Sequence, residues 1–189
     1  MPSWAGIGIG VIAAFYAIGA FNRLVTLRMR VRDAWAQIDV QLKRRHDLVP
    51  NLVSALQGYM AHERDVLERV TQARQQALAA GENLQSRIAS ETALTLATRQ
   101  LLARVEGYPS LKASENMMNL QEELASTENR IAFARQFYND SVMEYNTACD
   151  TFPRNLVALP FGFKAATMFE VDDPADRAVP AVADLSSRR

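Results

Sequence analysis

The sequence predicts an all-α protein: a single N-terminal transmembrane helix followed by an antiparallel up-and-down bundle of long helices. Three observations predict it. Residues 4–21 (WAGIGIGVIAAFYAIGAF) carry no charge. Beyond them apolar residues recur at steps of three and four, with no strand-like alternation. Hydrophobic residues make up 49% and charged residues 22% of the 189, a globular composition.

The apolar run comes first. As a helix, its 18 residues would reach ~27 Å, close to the ~30 Å of bilayer hydrocarbon. Asn22 and Arg23 follow at once and can snorkel at the boundary. A buried core helix is one rival reading. A cleaved signal peptide is another, and Ala17 and Gly19 could mimic a cleavage site. Such a peptide wants bases before its apolar stretch, and here they come after it. By the positive-inside rule Arg23, Arg28, Arg30 and Arg32 stay cytoplasmic, where they can contact anionic lipid. The expectation is a single pass through the inner (cytoplasmic) membrane, with Met1 outside and the bundle cytoplasmic. Gly6 and Gly10 form a small-xxx-small pair that suits self-association of the span. Residues 1–23 are therefore read as anchor, 24–169 as bundle and 170–189, polar with Pro174 and Pro180, as a disordered tail.

Four stretches of the bundle have helical spacing: about 24–46, 50–80, 84–107 and 114–152. The first has Leu24, Leu27, Val31, Trp35, Ile38 and Leu42 on one face, and the second continues from Leu52 and Leu56 to Val70 and Ala77. The third is the faintest, because its stripe includes Glu91, Thr95 and Thr98 and its small residues bury little area. The fourth keeps its steps from Met117 through Ile131 and Tyr138 to Phe152. Gly81 suits a C-cap, Ser114 an N-cap, and Pro153 a helix end. Pro50 either opens a new helix after a reversal at residues 46–50 or sits inside one kinked helix. The reversal is preferred, since a connection of that length is ordinary in bundles. It gives helices running away from, toward, away from and toward the membrane. The apolar segment 153–164 then folds back over one end of the bundle. Alternatively, Phe161 and Phe163 meet the membrane interface or a neighbouring subunit.

The neutral total, 21 bases against 21 acids, hides an asymmetry. Residues 22–45 hold seven bases and two acids, net +5, and residues 109–152 hold three bases and seven acids, net −4. Such helices attract each other, or the same helices of a neighbour. Lys43, Arg44 and Arg45 are therefore candidate interface residues, with Glu128, Asn129 and Arg130 on the fourth helix. The polar positions 127–130 and 138–140 read chiefly as that helix's outward face, and otherwise as a buried hydrogen-bond network.

Chemistry-bearing patterns are missing. His62-Glu63 lacks the second histidine of a zinc protease, since position 66 is valine. Neither His46 nor His62 follows a glutamate by three residues, as a di-iron bundle requires. There is no phosphate-binding Gly-rich loop and no Gly-x-Ser-x-Gly elbow. Cys149 is the only cysteine, so no intramolecular disulfide forms. The reading is no enzyme, no catalytic residues, no metal and no cofactor. Nucleic acid is not expected either, because the basic patch lacks interleaved aromatics.

Several long blocks resemble the LemA family: AWAQIDVQLKRRHDLVPNLV (34–53), GYMAHE (58–63), YPSLKA (108–113), LQEELASTENRIAFARQFYND (120–140), YNT (145–147) and FPRNLVALPFGF (152–163). The resemblance implies an N-terminal anchor, an antiparallel helical bundle and no established enzymatic activity. Relatives in that family are associated with envelope stress, with a neighbouring membrane protease or, in MamQ-like members, with building internal membranes. No functional residues carry over, and nothing transfers to the C-terminal tail. The function expected is a non-catalytic, coiled-coil-like membrane scaffold that forms homo-oligomers. The alternative is an adaptor for a membrane protease or another envelope protein.

Overall fold

The computed structural model describes residues 3–169 other than 61, 82 and 113, with backbone alone at 3, 5, 6 and 112. The segment 170–189, expected to be a disordered tail, lies outside the described residues. The described chain is helical: α1 (Ser3–Gln57), α2 (Arg64–Ala79), α3 (Leu84–Val105), α4 (Pro109–Lys112), α5 (Glu115–Asp150) and α6 (Asn155–Ala158). The N-terminal helix is long and apolar enough to cross a membrane. Its side chains Trp4, Ile7, Ile9, Ile12, Phe15 and Ile18 all face outward, and among the described residues the first buried apolar one is Ala20. A run that is apolar all round yet uncovered by protein suits hydrocarbon rather than water.

The preferred reversal at residues 46–50 does not occur. α1 runs through Pro50 to Gln57, and the chain turns at residues 58–63 instead. A proline inside a helix removes the N–H that would reach the carbonyl four residues back, at a cost of ~3 kcal/mol or more. Here that carbonyl belongs to His46, and the Arg74 Nε–H of α2 donates to it at 2.7 Å. A charged donor from a neighbouring helix replaces the missing one. The apolar stripe also continues across the proline, with Leu48, Val49, Leu52, Val53 and Leu56 all buried. Although the turn is displaced, the expected directions hold. α2 returns toward the N-terminal run, α3 leaves it again, and α5 comes back along α1.

Local signals set the other boundaries. Gly81 takes φ +59° just beyond α2, where a side chain would strain the turn. Asn83 Oδ1 accepts from the Ser86 N–H at 3.0 Å to cap α3, and Ser114 Oγ accepts from the Met117 N–H at 3.3 Å to cap α5.

α2 and α3 cover only the distal part of α1, where Leu52, Leu56, Met60, Val70, Leu94, Leu101 and Leu124 form one core. Nearer the apolar run α5 is the one long helix packed on α1, with only the four-residue α6 beside them, and two long helices alone cannot enclose a core. The third element there is an extended strap, residues 163–169. Its Phe169 joins Ile38, Ile131 and Tyr138, and its Phe163 joins Leu24, Leu27 and Tyr145.

Arg74→Met should destabilise the protein by about 1–3 kcal/mol through the orphaned His46 carbonyl. Pro50→Ala should recover most of that loss in the same background, because it restores the missing N–H. Urea unfolding of the single and double variants measures the coupling, and purely additive effects would contradict the account.

Candidate membrane-proximal site

Two polar arrangements place the end of α5 beside the apolar run. The first is a buried ion network. Arg45 is fully enclosed between α1, α3 and α5. Its Nη1 donates to Glu128 Oε1 at 2.8 Å and to Thr95 Oγ1 at 2.7 Å, and its Nη2 donates to Glu91 Oε2. His46 Nε2 lies 2.9 Å from the other Glu91 oxygen. Burial by itself would raise the Glu91 carboxyl. The hydrogen bond from His46 and the charge of Arg45 outweigh it and hold the group below its ordinary value. Arg135 lies close by, and its pKa is lowered by burial first and by the Arg45 charge second, against the pull of Glu128 and Glu91. Two cations thus face two carboxylates.

The second arrangement clamps the strap. Tyr138-Asn139 and Tyr145-Asn146 are the same dipeptide seven residues apart, two turns along one face of α5. Asn146 accepts from the Ala166 N–H at 2.8 Å and donates to the Ala166 carbonyl at 2.9 Å. Asn139 does the same with Phe169, at 2.7 and 3.0 Å. Tyr145 and Tyr138 donate their hydroxyls to the carbonyls of Lys164 and Thr167 at 3.0 and 2.9 Å. Each side-chain amide stands in for a neighbouring strand, so the backbone groups of Ala166 and Phe169 and the carbonyls of Lys164 and Thr167 are satisfied without a sheet. Burial is the largest cause that pushes the Tyr145 hydroxyl up to about 12, so it remains a donor at neutral pH.

The clamp draws the strap's Phe163 under α1. Phe21 meets Phe161 and Phe163 edge-on, with ring centroids 5.0 and 5.6 Å apart. Arg28 lies over the Phe163 ring at 5.1 Å. Phe163 is buried, whereas Phe161 stays 63% exposed. Segment 153–164, read as a loop over one end of the bundle, contains the short helix α6 and packs against α1 and α5 at the membrane-proximal end.

The remaining residues singled out from the sequence fall as follows. Arg23 and Arg30 both reach Glu144, at 2.6 and 2.8 Å, and are about half exposed. Such pairs contribute about 0–1 kcal/mol each. Arg32 and Lys43 are exposed. Arg44 approaches Glu123 to 4.0 Å at the surface. Arg45, a candidate for pairing with acidic helix faces, is enclosed within the chain, where two carboxylates accept its charge. Asn129 and Arg130 do face outward, but Glu128, Tyr138 and Asn139 do not belong to a purely solvated face. A Cβ at Gly10 would meet nothing within 4 Å, while the surroundings of Gly6 lie outside the described residues. Among the described residues, no three His, Cys, Asp or Glu gather as a metal site would require. Sequence reasoning missed Arg74 and the strap clamp. The repeated Tyr-Asn dipeptide was the available signal for the clamp.

An apolar helix that runs on into a helical bundle, with polar groups spent on holding the bundle together, defines a membrane-associated helical protein. The LemA family model matches residues 34–183, and the chain belongs to that family. It is similar to magnetosome protein MamQ 2 of Paramagnetospirillum magneticum, at 24% identity over 197 residues covering 90% of this chain and 72% of the relative. Magnetosome protein MamQ of Magnetospirillum gryphiswaldense is 23% identical over 181 residues, 82% of this chain and 66% of the relative. Protein LemA of Metamycoplasma hominis is 24% identical over 165 residues, 87% and 75% respectively.

Two outcomes are expected. Glu91→Gln should cost about 3–5 kcal/mol by leaving buried Arg45 undercompensated. Because the Glu91 pKa is lowered by folding, its contribution is complete at neutral pH and is lost as pH falls below the ordinary 4.5 toward the folded value. Acid titration of stability should therefore flatten in Glu91→Gln; an unchanged acid limb would contradict the assignment. Asn139→Ala with Asn146→Ala should release the strap, raising amide exchange at Ala166 and Phe169 about tenfold or more while α3 is unaffected.

Proposed function

We propose that the protein is a non-catalytic membrane-anchored scaffold that self-associates through its span and through the outer face of the α1/α5 pair. The observation that carries this reading is an open apolar groove of about 530 Å³ on that face, lined by Val40, Gln41, Arg130, Phe133 and Phe137. Phe133 is 72% and Val40 63% exposed, two large side chains on one surface that the described residues leave bare. Open space at Gly10 supports close approach of a second span, with Gly6 one turn away.

The bundle lies on the cytoplasmic side of the inner membrane, with the N-terminus outside. Its membrane-proximal bases Arg23, Arg28, Arg30 and Arg32 meet anionic headgroups, Arg23 and Arg30 while sharing Glu144. The work of the scaffold is membrane organisation or envelope stress, and the magnetosome proteins among its relatives favour the first. In the alternative role, as an adaptor, the same groove receives a membrane protease or another envelope protein.

Cross-linking of the full-length protein in lipid nanodiscs, followed by blue-native electrophoresis, separates the two. Self-association predicts dimers or larger species. Phe133→Asp, or Gly6→Leu with Gly10→Leu, should weaken them about tenfold, equivalent to ~1.4 kcal/mol. A monomer in lipid that recovers a membrane protease from native membranes would overturn the scaffold in favour of the adaptor.

A further inference from the structure

Between α5 and the strap the chain carries a short, strongly apolar segment. Phe152, Leu156, Leu159 and Phe161 are 73%, 63%, 78% and 63% exposed, a density of bare large side chains matched among the described residues only by the apolar run itself. The two surfaces are continuous. Pro153, Leu156 and Val157 face Ile9, Ile12, Ala13, Tyr16 and Ala17 of α1 across an apolar groove of about 570 Å³. Height along α1 decides what covers this segment. At ~1.5 Å per residue, Ala17 and Ile9 lie ~8 and ~20 Å from Asn22 on the membrane side. One leaflet's share of the ~30 Å hydrocarbon layer is ~15 Å. Wherever α1 crosses a bilayer from Asn22, the residues facing Ile12, Tyr16 and Ala17 are already at the depth of acyl chains.

We propose that residues 152–161 form a wedge seated in the acyl chains of the leaflet on the bundle side, beside the span. The occupant of the bare face is lipid. The protein is thus both single-pass and monotopically inserted, and it takes up more area in one leaflet than in the other.

The backbone suits this setting, since hydrocarbon offers no partner to a free N–H. The N–H groups of Leu156, Val157, Ala158 and Leu159 donate within the segment, and that of Asn155 reaches back to the Thr151 carbonyl at the end of α5. Pro153 and Pro160 have no N–H to satisfy. At the exit, Gly162 with φ +69° closes a left-handed cap in which its own N–H donates to Leu159 and that of Phe163 to Ala158. Arg154 is the one base in the segment, and its long stem lets the guanidinium rise to the headgroups. Asp150 and Lys164 flank the wedge, and both are exposed. This inference rests on the span crossing the bilayer and is independent of self-association.

The test uses full-length protein in phosphatidylcholine–phosphatidylglycerol vesicles, in a Cys149→Ala background. An environment-sensitive NBD label is placed at Leu156→Cys, with Ile12→Cys as the span control and Ser126→Cys as the distal control. Leu156 should match Ile12. Doxyl groups on the acyl chains should quench it at least about twofold, and iodide should reach it about fivefold less well than Ser126. If Ile12 is quenched by doxyl lipid while the Leu156 label is open to iodide, the segment lies in water and the wedge is wrong. If the Leu156 label is shielded from both quenchers, protein rather than lipid covers it, which also overturns the proposal. Far-UV circular dichroism of each labelled variant confirms that the bundle is retained.

Discussion

Arg45 is a guanidinium with no exposure to water, and the register of the molecule follows from the two carboxylates that neutralise it. Glu91 comes from α3 and Glu128 from α5, so a single side chain of α1 indexes both helices at once. A slip of α5 by one turn along α1 would leave a buried charge unpaired, which costs several kcal/mol. Apolar contacts along a long helix pair are far more forgiving of such a slip. With the register set, about 22 residues of α5 beyond Glu128 carry the chain ~33 Å back along α1. That distance brings Glu144 between Arg23 and Arg30, and Phe161 and Phe163 to Phe21.

A second constraint follows. α2 and α3 are too short to accompany α1 to the membrane, so among the described residues the proximal half has only two long helices, with the four-residue α6 beside them. The strap supplies the missing wall. It brings little apolar area of its own apart from Phe163, Met168 and Phe169, and it is held instead by backbone hydrogen bonds to Tyr138, Asn139, Tyr145 and Asn146. The polar residues that look like a solvated face in the sequence are spent here. This division of labour separates a distal apolar core, built from α1, α2, α3 and α5, from a proximal pair whose integrity depends on specific polar contacts. It places the more easily opened part of the bundle next to the bilayer.

Much of the architecture was legible because it depends on local periodicity. The stripes of α1 and α5, the caps at Gly81 and Ser114, and the apolar N-terminal run are all readable one helix at a time. Pro50 was not, because its tolerance depends on Arg74, a residue 24 positions away whose donor has no local signature. Glu91 could be placed on the buried stripe of α3, but nothing in its own helix names its partners. The charge asymmetry between the first and fourth helical stretches indicated attraction, and Arg23, Arg30, Arg44 and Arg45 meet Glu144, Glu123 and Glu128 within one chain. The strap was the least legible part. Its sequence has neither helical spacing nor strand alternation, and its fold is written in the α5 residues that hold it.

The functional reading turns on where the far end of the chain lies. A bundle whose apolar C-terminal segment pointed away from the bilayer would be a tethered domain. One whose segment returns to the apolar run, as here, brings both ends of the bundle's chain to the same place. The most direct measurement of that geometry is photo-cross-linking from benzoylphenylalanine placed at Phe21, in full-length protein reconstituted in lipid, with isotopically mixed protein to separate intrachain from interchain adducts. The register described here predicts intrachain adducts concentrated in residues 158–164. Adducts confined to α2 or α3, or found only between chains, would contradict it.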